Sequence, residues 1–207
     1  MNHSERSPSF CDEFLAALDS AAPAAGIEAR SNLRVLDVGT GTARIPIEIC
    51  RRRTGFGITV VDRAQRALER ARQNVSRAGL GHAIRIERAA ANLLPFADAS
   101  FDAVISNGLL HHVPRRIGAL REMARVLRPG GLLFVRDSLR QSDAAQIAGV
   151  LAGRAERTDE RRRKIFESSF RAALTFGAAR VLLREAGLPA EWVRHSGPVH
   201  WAICGRL

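Results

Sequence analysis

The chain has 207 residues, 46% hydrophobic and 26% charged, with a formal net charge of +11. That length suits one domain with a sizeable core, and no apolar run approaches the ~20 residues of a membrane span. Three distant cysteines, Cys11, Cys50 and Cys204, form no C-x-x-C pair, which argues against a disulfide framework and a metal site and for a reducing compartment. The positive charge is almost all arginine, Lys164 being the one lysine, and it is dispersed, which argues against nucleic acid as the main partner. The first residues, MNHSERSPSFCDEF, lack an apolar core behind a basic start, so the expectation is a cytoplasmic protein without a signal peptide.

In chain order, residues 10–18 read as a short amphipathic helix followed by an Ala/Pro-rich connection. From Leu33 onward, strand candidates at 34–38, 57–61, 84–88, 101–106 and 131–137 alternate with helix candidates at 43–53, 64–78 and 114–127. This rhythm implies an α/β fold with a parallel sheet covered on both faces. Pro129-Gly130-Gly131 reads as the breaker turn before the fifth strand. Residues 141–175 form a charged helical insertion, a candidate lid over the acceptor, rich in arginine from Arg154 to Arg171. A helix at 176–186 and two strands, 191–196 and 199–206, joined by Gly197-Pro198, close the chain as an antiparallel hairpin.

Ligands of such sheets bind beyond the carboxyl ends of the strands, and four of those ends carry informative residues. The first reads VLDVGTGTAR, in which Gly39 and Gly41 let backbone approach a ligand. A dinucleotide fingerprint G-x-G-x-x-G would place its third glycine at position 44, where this chain has Arg44. That loss points away from a pyrophosphate. The second end carries Asp62, twenty-one residues after Gly41, where an acid suits the two hydroxyls of a ribose; capping the next helix is the other role open to it. The fourth ends in Asn107-Gly108, with His111 and His112 just beyond, and the fifth ends in Asp137.

With VLDVGTGTAR, the acid of ITVVDRA, LPFADASFDAVISNGLLHHV and the REMARVLRPGG turn, the chain resembles the class I S-adenosylmethionine-dependent methyltransferases, in their small-molecule, UbiE-like (methyltransferase type 11) branch. The resemblance is close over 33–137 and looser over the closing hairpin. It implies a Rossmann-like sheet of seven strands, the last antiparallel, in a single domain over residues 1–207. It implies S-adenosylmethionine as cofactor, S-adenosylhomocysteine as product, and a small-molecule acceptor. Asp37 would lie near the methionine end, with Gly39, Thr40 and Gly41 beneath the cofactor. Asp62 would bind the ribose with Arg63 beside it, and the Asn107 carbonyl would accept from the cofactor's amino group. The loop before Leu94-Pro95-Phe96 would cradle adenine, through the N–H of Ala91 and through Asn92.

That loop departs from the family pattern D-A-x-x-L-P-F, because Ala90 stands where an acid would accept from the adenine amino group. One lost hydrogen bond costs about 0.5–1.5 kcal/mol, which implies weaker binding rather than none. His111, His112 and Asp137 are the candidate catalytic groups, a histidine near neutrality being suited to deprotonate an acceptor. The alternatives are an RNA-modifying methyltransferase and a homologue that binds the cofactor without transferring methyl.

Overall fold

The computed structural model describes residues 9–20, 32–140 and 171–207. The expected lid falls mostly on 141–170, outside the described residues.

The chain enters through helix α1 (Phe10–Asp19), started by a capping box in which the Ser9 hydroxyl accepts from the Asp12 N–H and Asp12 accepts from the Ser9 N–H. Then follow β1 (Leu33–Val38), α2 (Arg44–Arg52), β2 (Phe56–Asp62), α3 (Gln65–Arg77), β3 (Ile84–Arg88), β4 (Phe101–Asn107), α4 (Arg116–Val126) and β5 (Leu127–Ser138). Helix α5 (Phe176–Ala186) begins on the Thr175 hydroxyl and ends at Gly187 in the left-handed conformation; β6 (Val193–His195) and β7 (His200–Arg206) follow.

One seven-stranded sheet runs β3-β2-β1-β4-β5-β7-β6. Strands β1 to β5 are parallel, and β7 is antiparallel to both β5 and β6. Central strands such as β1 are buried on both sides, so their residues read as apolar runs. One face packs under α1, α2 and α3 around Val35, Ile58, Ile105 and Phe134, with Phe10 edge-on to Phe134 at 5.1 Å. The other packs under α4 and α5 around Leu36, Val104, Leu133 and Trp201.

Two expected boundaries move. Pro129-Gly130-Gly131 is a wide bulge inside β5 and not a turn before it: Phe101 pairs with Leu127 and Ala103 with Leu132. Bonds of Gly130 and Gly131 to Leu207 hold the bulge at the sheet, so hydrogen bonding across to the last residue overrides the breaker signal. The closing hairpin has a four-residue connection, because β6 stops at His195 and Ala190–Trp192 coil into a 3-10 turn.

Candidate functional site

The turn from β1 into α2 has three residues in the left-handed region, Gly39 at φ 78°, Gly41 at φ 58° and Ala43 at φ 58°. Gly39 has two reasons to be glycine, since a Cβ there would also stand 2.7 Å from Cδ1 of Leu109. A Cβ at Gly41 would meet nothing within 4 Å, so that backbone borders open space. The third special position is Ala43 rather than Arg44, which is already the first residue of α2 and needs no glycine. Ala43 keeps its Cβ in a conformation that costs about 1–2 kcal/mol, and it is fully buried.

Asp62 ends β2 with both carboxylate oxygens engaged. Oδ2 accepts from the Gly41 N–H at 2.9 Å and Oδ1 from the Ala64 N–H at 2.8 Å. The acid therefore orients the glycine turn and starts α3 at once, and its further lone pairs remain for a ligand. Asp37, fully buried at the end of β1, is pushed up to about 7, chiefly by burial, with the charge of Asp62 adding to the shift. The Thr40 hydroxyl is near enough to oppose that rise, yet its Oγ1 is a buried atom with no hydrogen-bond partner of good geometry.

The loop after β3 forms the far wall. The Ala89 N–H donates to the Asp62 carbonyl, and Ala90 and Leu93 close a tight turn. From α4, Glu122 accepts from the Leu94 N–H at 2.8 Å, while Arg125 donates to the carbonyls of Leu94 and Phe96 and pairs with Glu122 and Asp98. Between these walls lies a cleft of about 440 Å³ reaching Gly39, Asp62, Arg63, Ala90, Ala91 and Asn92. A second depression of about 420 Å³ continues on the other side of Gly39, bordered by Asp37, Thr40, Gly41, Arg44 and Asn107.

At the ends of β4 and β5, the chain leaves Asn107 through Gly108 at φ 68° and coils at Leu110–His112. His111 Nδ1 meets Asp137 Oδ1 at 2.5 Å, both side chains being at most 5% exposed. The Ser138 N–H donates to Oδ1 and the His111 N–H to Oδ2, so the carboxylate is fixed by three partners. With Nδ1 of His111 turned to the Asp137 carboxylate, Nε2 is the ring nitrogen left for another partner. His112 lies tilted against this ring, the centroids 3.9 Å apart, and borders the cleft; burial, and next the neighbouring His111, push it below the usual histidine range.

Every residue expected at the site from sequence therefore lies at the carboxyl ends of β1, β2, β4 and β5 or in the loop after β3. Sequence reading missed Glu122 and Arg125, which stand on one helix face three apart inside the REMAR motif. It also missed Leu109 over Gly39, and Arg136 beside Asn107, for which the sequence carries no signal.

The methyltransferase domain family matches residues 36–135. The chain is 33% identical over 162 residues to a 27-O-demethylrifamycin SV methyltransferase of Amycolatopsis mediterranei, covering 78% of this chain and 56% of that protein. It is 38% identical over 106 residues to a ubiquinone/menaquinone biosynthesis C-methyltransferase, UbiE, of Geotalea daltonii, covering 50% and 45%. A SAM-dependent methyltransferase structure from Aquifex aeolicus superposes with a TM-score of 0.62 at 16% identity, over 83% of this chain and 80% of that one. The chain spans about half the length of the curated relatives it matches. Residues 36–135 carry the methyltransferase domain, and the strand order and the glycine turn with Asp62 are those of the Rossmann-like sheet of S-adenosylmethionine-dependent methyltransferases, with UbiE among the proteins the chain is similar to.

Proposed function

We propose that this protein transfers a methyl group from S-adenosylmethionine to a hydroxyl oxygen of a small molecule. The observation that carries the reading is the Asp62 carboxylate, tied to the Gly41 N–H at the rim of the 440 Å³ cleft. The cleft fits an adenosine between Asp62, Arg63 and the 89–92 loop, and the open space at Gly41 leaves room for a thioether chain running toward Asp37 and Asn107. In this reading the free lone pairs of Asp62 accept the ribose hydroxyls, the Ala91 N–H donates to the ring, and the Asn92 side chain stands in as acceptor where the usual acid is Ala90. The Asn107 carbonyl accepts from the amino group.

S-adenosylmethionine, when bound, supplies a methyl carbon made electrophilic by its sulfonium. The chain's own contribution is alignment and proton removal. Nε2 of His111 takes the acceptor's hydroxyl proton, and Asp137 holds the ring and steadies the charge that forms on it. Likeness to the 27-O-demethylrifamycin SV methyltransferase, which extends over 78% of this chain, supports an oxygen acceptor. Single-domain organisation and a cytoplasmic setting are part of the proposal; among the described residues no helix is long and apolar enough to cross a membrane.

The test is incubation of the protein with methyl-labelled S-adenosylmethionine and fractionated cell extract. Label is expected in a small organic product as a methyl ether. Label confined to RNA, or cofactor binding with no transfer to any fraction, would overturn the reading.

A further inference from the structure

The amino-acid end of the cleft adjoins a line of side chains of which only Asn107 lies in a family motif. Asn107 borders the depression beside Asp37 and Gly39, and its register partner on β5 is Arg136. Nε of Arg136 donates to Oδ1 of Asn107 at 3.2 Å. The guanidinium lies 5.3 Å from the centroid of the Phe10 ring, and its Nη1 donates to Oε1 of Glu13 at 3.2 Å. The same Glu13 oxygen accepts from the Ser196 hydroxyl at 2.5 Å. The ion pair is largely buried, with Arg136 13% and Glu13 12% exposed. Helix α1, strand β5 and the closing hairpin are thus fastened together beside Asn107.

The chemistry of this line fixes how the amide is turned. An arginine N–H can only donate, so Asn107 must face it with oxygen, which leaves the amide NH2 for the cleft. An NH2 group beside a guanidinium is a donor suited to a carboxylate. We propose that Arg136, held by Glu13, is a positioning residue that locks the Asn107 side chain with its NH2 toward the cleft, where it donates to the carboxylate of the cofactor's amino-acid moiety. This rests on the cofactor assignment above and gives α1 a part in cofactor binding. Two roles then fall to one residue, the Asn107 carbonyl serving the amino group and its side chain the carboxylate.

The test compares two ligands by calorimetry on the full chain: S-adenosylhomocysteine, and 5′-methylthioadenosine, which has the adenosine and sulfur but no amino acid. Arg136→Lys keeps the charge and loses the directed Nε bond. It is expected to weaken S-adenosylhomocysteine by about 5- to 20-fold, less than the roughly 12- to 150-fold of losing a hydrogen bond to a charged group outright because the amide itself remains, and to leave methylthioadenosine within about twofold. Glu13→Gln should act in the same direction and less strongly. Asn107→Asp leaves the ion pair in place and sets a carboxylate against a carboxylate. It should weaken S-adenosylhomocysteine at least about tenfold, again without touching methylthioadenosine, and it keeps the test open if Arg136→Lys does not fold. Equal losses for both ligands would mean a purely structural role and would overturn the proposal, as would unchanged affinity for both. If the unsubstituted protein bound neither ligand, the cofactor assignment itself would fall, and this inference with it.

Discussion

The two ends of the proposed cofactor cleft, assigned to adenosine and to the amino acid, are built by different means. At the first, Gly41 and Asp62 are 21 residues apart and come from successive β/α units, and main-chain N–H groups form most of the contacts. At the second, Glu13, Asn107, Arg136 and Ser196 arrive from separate parts of the chain, Ser196 standing 183 positions after Glu13, and side chains make every contact. Main-chain bonds close the turn at Ala90 and Leu93, so the wall stands with an alanine where the family pattern has an acid. A side-chain site has no such reserve, because removing one partner of a buried ion pair leaves the other charge uncompensated. The pair of His111 and Asp137 combines the two, its carboxylate being held by two main-chain N–H groups and one imidazole.

The largest effect separating these regions is expected from His111→Ala. Turnover should fall by about 10²–10⁴, the range for loss of a general base, while S-adenosylhomocysteine binds within about twofold of the unsubstituted protein. Asp137→Asn should act likewise through the orientation of the ring. A parallel loss of binding would show that the pair serves the cofactor and not the proton. Next comes Asp62→Ala, which removes the ribose acceptor and strands two backbone donors. Its cost is about 1.5–3 kcal/mol, or roughly 12- to 150-fold in affinity for S-adenosylhomocysteine by calorimetry.

A smaller effect is the pH dependence set by Asp37, held at about 7 against an ordinary 3.8 by burial. Between those values the native state keeps a proton that the unfolded chain has released. The stability this contributes is fully present below about 4 and is lost as pH rises to about 7, with no further loss above it. Denaturant titrations should show that slope, and Asp37→Asn should remove it. Cofactor binding should run the other way, since the ionised carboxylate favours a sulfonium. The affinity of S-adenosylmethionine relative to the uncharged thioether product should rise with pH through 7, by about tenfold for each unit by which the cation lowers that pKa. A ratio flat with pH would detach Asp37 from the sulfonium. The smallest effect is Ala43→Gly, which relieves the left-handed alanine by about 1 kcal/mol and gives back part of that in lost burial. Thermal melting should show a small rise, and a marked fall would mean that packing of the methyl outweighs the strain.

What was legible in the sequence follows the same division. The alternation of apolar runs with helical periods placed β1 to β5, and the Gly-Pro turn near the end placed the antiparallel hairpin, because these features are local. The bulge at Pro129-Gly130-Gly131 was not legible, since it depends on bonds to Leu207 at the far end of the chain. Position 44 drew attention as the absent glycine, whereas the strained backbone sits one residue earlier at Ala43, where an alanine gives no warning. Asp62 drew attention by its spacing from the glycine turn, and the 89–92 loop only through the resemblance of LPFADASFDAVISNGLLHHV to the family pattern. Arg136 could not, because its partners Glu13 and Asn107 are brought to it only by the folded sheet and by α1 packing on Phe134.

The most direct measurement is calorimetric titration of the full chain and of its Asp62→Ala variant with S-adenosylhomocysteine. Saturable binding at one site by the unsubstituted protein, weakened roughly 12- to 150-fold in the variant, is the expected result. No saturable binding, or equal affinity in the two proteins, would contradict the assignment of the cleft.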